Sequence, residues 1–229
     1  MLSIKSEEDK LNSPVWHSLN ETHQPFKMEL SGMFFYSPAY CIFGAALNNN
    51  TVKGIEDYAR ISERLFIVGE RPNHSPELGL KKVLVCDQLL LRKPIDIEIK
   101  ESIVPLTQSQ QKSDLYHLVQ EVQPGYFRPK TADLGRYFGI YKKGVLVAAT
   151  GERMKMNAFT EISAIVTHPH HRGKSYATQL IKQSTDLIFA ENKLPYLHVA
   201  ESNTPAIRLY KNLGFTERKK IRFWLFTKN

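Results

Sequence analysis

Residues 168 to 180 read HPHHRGKSYATQL. Three histidines, an arginine, a glycine, a lysine and a serine fall close together, and an apolar pattern follows without a break. A helix that starts here leaves several N–H groups without partners and carries a partial positive charge. Gly173 lets a ligand approach the backbone, and Arg172 and Lys174 add full charges. Together these features describe an anion cradle suited to a pyrophosphate. A metal site on His168, His170 and His171 is not expected. An extended segment sends adjacent side chains apart, and no acid or cysteine lies near in sequence. The basic residues form no continuous stripe, so nucleic acid is not the expected partner. A solvated basic loop would account for Arg172 and Lys174, but not for glycine and serine in the turn.

The surrounding segments must position this loop. FTEISAIVTHP before it has strand character and stops at Pro169. After it, Tyr176, Ala177, Leu180, Ile181, Leu187 and Ile188 make one stripe of a helix expected from about Gly173 to Asn192. PYLHVA then reads as a short buried strand. SNTPAIRLYKNLG reads as a second helix, capped by Asn203 or Thr204 and ended at Gly214. FTERKKIRFWLFT closes the chain as a strand. Strand, helix, strand in this order implies a parallel crossover.

Upstream, SIVPL reads as a strand and SQQKSDLYHLVQEV as a helix with Leu115, Leu118, Val119 and Val122 on one face. QPGYFRPKT is a loop, and GRYFGIYKKGVLVAATGERM is a hairpin turning at Lys143-Gly144. Residues 1 to about 100 hold four short apolar runs and one helical stretch around GIEDYARISER, in the order strand, strand, helix, strand, strand. The chain thus divides into an N-terminal α/β domain, 1–100, and a second domain, 101–229.

With 229 residues and 42% hydrophobic composition, the chain can bury a substantial core. Its net charge of +8 favours anionic partners without choosing among them. Cys41 and Cys86 form no C-x-x-C pair, so a reducing cytoplasm is the simpler context. MLSIKSEEDK lacks the apolar core of a signal peptide, and MFFYSPAYCIFGAAL is interrupted by Ser37 and Pro38, so no membrane span is expected.

The loop Arg172, Gly173, Lys174, Ser175, Tyr176, Ala177 resembles the R/Q-x-x-G-x-G/A motif of the GNAT superfamily of acyl-CoA-dependent N-acyltransferases. Ser175 stands where a second glycine is usual. The downstream pattern N-x-x-A-x-x-L-Y-x-x-x-G-F is matched in full by Asn203, Ala206, Leu209, Tyr210, Gly214 and Phe215. The resemblance covers about residues 101 to 229 and is nearest to the glycine N-acyltransferase C-terminal domain. It implies a central mixed, twisted sheet flanked by helices, preceded by a smaller, partly GNAT-like N-terminal α/β domain.

The resemblance further implies acetyl-CoA as co-substrate, with its pyrophosphate on the N–H groups of residues 172–177 and its pantetheine arm along Ile165, Val166 and Thr167. No metal is implied. Acetyl would pass directly to a primary amine, an amino acid or another small acceptor, in a ternary complex. Glu161 is the expected base, with an exposed strand carboxylate as the alternative and Glu152 in reserve. Tyr210 is the expected acid and is equally a packing aromatic. Asn203 either contacts the cofactor or only caps its helix. His198 reads as a core histidine. Tyr126, Phe127 and Arg128 are expected to shape the acceptor pocket, Arg128 holding a carboxylate, or else to pack the loop on the N-terminal half. A non-catalytic acyl-CoA-binding sensor or interaction module is the alternative function.

Overall fold

The computed structural model describes residues 7–46 and 51–228. The first six residues of the polar N-terminal decapeptide and the last residue of the apolar stretch 33–47 lie outside the described residues. No described helix is long and apolar enough to cross a membrane.

Among the described residues, eleven strands form one mixed sheet, flanked by five α-helices. The first half supplies α1 (Pro14–Asn20), β1 (Lys27–Leu30), β2 (Met33–Tyr36), β3 (Phe43–Ala45), α2 (Val52–Ala59), β4 (Arg64–Val68) and β5 (Leu78–Leu90). The second supplies β6 (Val104–Pro105), α3 (Ser109–Val122), β7 (Tyr137–Lys142), β8 (Val145–Lys155), β9 (Phe159–Thr167), α4 (Tyr176–Ala190), β10 (Leu194–Ala200), α5 (Thr204–Asn212) and β11 (Thr216–Lys228). The strand order is β1-β2-β3-β4-β11-β5-β10-β9-β8-β7-β6. The β3/β4 and β9/β10 pairs are parallel, and the latter is the crossover read from the sequence.

The two halves share this sheet. β5 lies between β10 and β11, pairing Leu90 with both Tyr196 and Thr216, while β11 continues on to β4. One core cluster accordingly mixes Leu11, Phe43 and Phe66 with Met154, Tyr196 and Phe223.

Local chemistry explains most boundaries. The β7–β8 hairpin turns on Lys143 (φ 52°) and Gly144 (φ 80°), as a two-residue turn of this hand requires. Gln108 and Gln111 form a reciprocal cap at the start of α3. Alternation along β7 and β8 puts Tyr137 and Ala149 against α3, and Phe138 and Ala148 in the cluster with Tyr176 and Leu180 of α4. The two helices therefore cover opposite faces.

Two expectations shift. α4 begins at Tyr176 and not Gly173, because Gly173 (φ 75°) and Ser175 (φ 57°) both take left-handed conformations that a helix cannot include. α1 was not anticipated from its seven residues. It starts on Pro14 and buries Val15 and Leu19 over β2 and β3.

Candidate active site

The loop between β9 and α4 opens with a short 3-10 turn, Pro169–His171, and then runs exposed through residues 172–175. Left-handed conformations at Gly173 and Ser175 turn successive N–H groups toward one side, the geometry of an anion-binding concavity. The Ser175 side chain does not cap α4, so the first-turn N–H groups have no side-chain competitor. A Cβ on Gly173 would meet nothing within 4 Å, so the space in front of the loop is open. These features fit a pyrophosphate. Tyr176 is buried and offers its main chain only, its ring under Lys142.

The three histidines behave differently from the sequence expectation. The 3-10 turn brings the His168 ring 5.3 Å from that of His170 and 5.8 Å from that of His171. An acid is also present, Glu121 at 3.1 Å from His168 Nε2, contributed by α3 across the fold. No group of side chains placed to hold a metal ion occurs among the described residues.

Beside the loop, β9 and β10 pair only from Leu194/Phe159 to Tyr196/Glu161. Beyond Glu161 they part. β10 stays with β5, and β9 stays with β8 through a bulge that places Ala164 at φ 51°. The edge of β9 that faces β10 is therefore unpaired from Ile162 onward. A cavity of about 350 Å³ occupies the opening. One end is lined by Ile162, Ala164, Ile165, Ser202, Asn203 and Tyr210. The other is lined by Phe43, Cys86, Tyr126, Phe127, Arg153 and Phe223, with Lys82 at the rim.

Glu161 stands directly behind the point of divergence, with its side chain 1% exposed. Arg153 Nε donates to Oε2 and Arg153 Nη2 to Oε1, each at 2.7 Å. His198 Nδ1 lies 2.8 Å from Oε1. Burial alone would raise the Glu161 pKa. The Arg153 charge and hydrogen bonds, joined by His198, outweigh it and bring the carboxyl down to about 2.

The network also fixes the His198 tautomer. Gln88 Nε2 donates to the Leu11 carbonyl, and Gln88 Oε1 accepts from Arg218 Nη1. The Gln88 amide must then donate to His198 Nε2 as well, at 3.0 Å, which leaves the imidazole proton on Nδ1 facing Glu161. Both ring nitrogens are occupied.

The two carboxylates considered as bases are thus both buried and ion-paired, not exposed on a strand. Glu161 does not line the cavity; Arg153 and His198 stand between. Glu152 is held by Arg136 and by Lys155 Nζ at 2.8 Å; burial opposes ionisation there too, but the two cations lower its pKa. Tyr210 lines the cavity, and burial pushes its pKa up. Its hydroxyl has no partner among the described residues. Asn203 caps α5, accepting from Ala206 N at 3.3 Å, and also lines the cavity. Ile165 lines it as well, whereas Val166 is buried in the cluster under α3.

Tyr126 and Phe127 reach the cavity, and Tyr126 also stacks on Phe66 of the first half. Arg128 does not line it. Its Nε donates to the Pro38 carbonyl and ties the loop to the first half. The cavity arginine is Arg153, which the sequence reading passed over. One signal was available: a basic residue beside Glu152 at the polar end of a strand that begins apolar, two positions after glycine in GERMK. Its placement also depends on the β8 bulge between Glu152 and Lys155, which nothing local announces. His198, read as a core histidine, is buried yet forms part of the cavity wall.

Comparison with known proteins bears on the fold. Residues 137–225 match the family of FR47-like proteins. A segment of 55 residues is 42% identical to spermidine N(1)-acetyltransferase of Vibrio cholerae; it is 23% of this chain, and the match spans about a third (32%) of that protein's length. Among solved structures, a GNAT-family protein from Novosphingobium aromaticivorans DSM 12444 superposes with a TM-score of 0.85 at 28% identity, over 96% of this chain and 98% of that one. A GCN5-related N-acetyltransferase-like protein from Streptococcus suis 89/1591 shares the fold at 13% identity, with a TM-score of 0.62 over 98% of both chains. The fold along nearly the whole length is thus the one these GNAT-family structures share, and residues 137–225 carry the pattern of the FR47-like family.

Proposed function

We propose that the protein is an N-acyltransferase that moves an acetyl group from acetyl-CoA to a primary amine within a ternary complex. The observation that carries this reading is the parting of β9 and β10 just past Glu161, beside an uncapped helix start with two left-handed residues. The first feature offers a strand edge to an extended amide-bearing chain. The second offers N–H groups and a positive helix end to a pyrophosphate. Arg172 and Lys174 supply charge beside it, and Ile165 with Asn203 flanks the path between.

Acetyl-CoA supplies an activated thioester. The transfer forms an N–C bond and breaks the C–S bond; the amine gives up a proton and the sulfur gains one. Tyr210, kept protonated by burial and facing the cavity, is the proton donor for the sulfur. Among the described residues, no cavity-lining side chain is a free base. Cys86 is pushed up to about 12 by burial, and both His198 nitrogens are occupied. The amine's proton therefore leaves through water. Glu161 acts through Arg153 and His198 as a positioning residue. The likeness to glycine N-acyltransferases belongs to this reading through the partly GNAT-like first half and the place of Glu161 on β9.

The test is acetyl-CoA with a panel of amines, following free thiol. Amine-dependent release is expected. Thermal stabilisation by acetyl-CoA without release for any amine would instead mark an acyl-CoA-binding module.

A further inference from the structure

We propose that the acceptor is an α-amino acid with an apolar side chain, its carboxylate held by Arg153 and its side chain set against the aromatic wall formed by Phe43, Tyr126, Phe127 and Phe223. This rests on the acyltransferase reading above and narrows it to a substrate class.

Arg153 is a cavity-lining cation with only 13% of its side chain exposed. A guanidinium has five N–H donors. Glu161 takes one from Nε and one from Nη2. The other three have no partner among the described residues, and on a cavity-lining guanidinium they are free to meet an acceptor that enters. The group is also fixed in place. Glu161 grips one edge of the plane, and the guanidinium carbon lies 4.7 Å from the centre of the Phe43 ring. Glu161 is itself held by His198, His198 by Gln88, and Gln88 by Arg218 and the Leu11 carbonyl. An ordered fork with spare donors suits a carboxylate better than a point charge would.

The walls complete the class. Phe43 and Phe223 pack edge to face at 5.4 Å, and Tyr126 stacks on Phe66, so the aromatic surface is rigid. Lys82 adds a second positive charge at the rim. Among the described lining residues no carboxylate faces the cavity. A polyamine's additional ammonium groups would meet Lys82 and Arg153, whose one carboxylate, Glu161, lies behind it and not on the cavity wall.

The experiment compares kcat/KM for the twenty amino acids, phenethylamine and spermidine, with acetyl-CoA saturating. L-Phenylalanine should exceed phenethylamine, which differs by the carboxylate, by about 10- to 100-fold, the value of a charged hydrogen-bonded pair. Apolar amino acids should lead the panel. In Arg153→Lys, the ratio of phenylalanine to phenethylamine should fall most of the way to one, through the phenylalanine KM, whatever the variant does to turnover in general. If that variant fails to fold, the wild-type comparison alone decides. Equal or better turnover of phenethylamine or spermidine, or a preference for glycine or aspartate, would overturn the proposal and leave the acyltransferase intact. No thiol release with any amine would remove both.

Discussion

The two ends of the cavity are made from different material. The end beside the β9–α4 loop is built chiefly on main chain, N–H groups at residues 172–177 and the open edge of β9, with Asn203 and Tyr210 beside it. That main chain comes from about fifteen consecutive residues. The other end is side chain, and Phe43, Cys86, Arg153, His198 and Phe223 reach it from five strands and from both halves of the sequence. A common, invariant ligand such as a pyrophosphate can be met by backbone that most sequences supply. A selective acceptor needs particular groups at particular points, and only a completed sheet brings those together. The strand β5, inserted between β10 and β11, is what delivers Cys86 to the site and Gln88 behind it.

The largest effect that would test this contrast is at the main-chain end. Acetyl-CoA binding only the folded state should stabilise the wild type by about 4 kcal/mol at a thousandfold excess over Kd. Gly173→Glu should abolish that gain by placing a carboxylate in the open space before the loop. The exposed, left-handed site should cost the variant only about 1 kcal/mol of its own stability. The same stabilisation in the variant would mean that the phosphate lies elsewhere.

At the side-chain end, Glu161→Gln should leave acetyl-CoA stabilisation intact but lower the protein's stability by about 3 kcal/mol, the low end for removing one partner of a buried pair, because Gln keeps one acceptor. The sign with pH follows from the depressed carboxyl. Its contribution is full above the ordinary 4.5 and disappears as pH falls toward about 2. The gap between wild type and variant should therefore close across that window. His23, which burial lowers from 6.5 to about 4, should weaken both proteins alike as pH falls between those values. Denaturation curves from pH 7 to 2 separate the two. Kinetically, a positioning role raises the acceptor KM by a factor that does not depend on pH. A loss in kcat that shrinks with rising pH would make Glu161 the base.

Tyr210 lines the same cavity. Tyr210→Phe keeps the ring within its cluster and removes a hydroxyl that has no protein partner, so the melting temperature should hardly move. Turnover should fall by about 10²-fold if the hydroxyl protonates the leaving sulfur. Unchanged turnover from pH 6 to 9 would end that assignment.

The same contrast governs what could be read from the sequence. The β9–α4–β10–α5 order and the α5 cap at Asn203 rest on contacts within a few residues, and local patterning announces them. So does the α3 span, Ser109–Val122, which its apolar spacing reproduces. Arg128 was legible as an arginine in a loop but not as a strut to Pro38, 90 residues earlier in the chain. Arg153 and His198 acquire their roles from partners across the sheet and from a bulge. Glu161 was singled out by its place on β9, yet its burial depends on Arg153, which only the pairing of β8 with β9 supplies. The histidine rings converge because Pro169 starts a 3-10 turn where extended chain was expected.

The smallest expected effect sharpens the claim that residue 175 meets the phosphates through its main chain. Ser175 holds φ 57° and ψ 22°, a conformation costing a residue with a Cβ roughly 1–2 kcal/mol. Its hydroxyl caps nothing, and the residue is exposed, so Ser175→Gly loses no contact in the folded protein. Glycine relieves the strain but gives up to about 1 kcal/mol back through the freer unfolded chain. The net should be a gain of about 0.5–1 kcal/mol, which in a chain of this size raises the melting temperature by about 1–4 °C. Because the N–H of residue 175 survives the change, stabilisation by acetyl-CoA should match that of the wild type. Paired thermal melts with and without acetyl-CoA measure both quantities. A weaker acetyl-CoA response with the stability gain in place would show that the Ser175 hydroxyl itself contacts the phosphates, and that this end of the cavity uses side-chain as well as main-chain recognition.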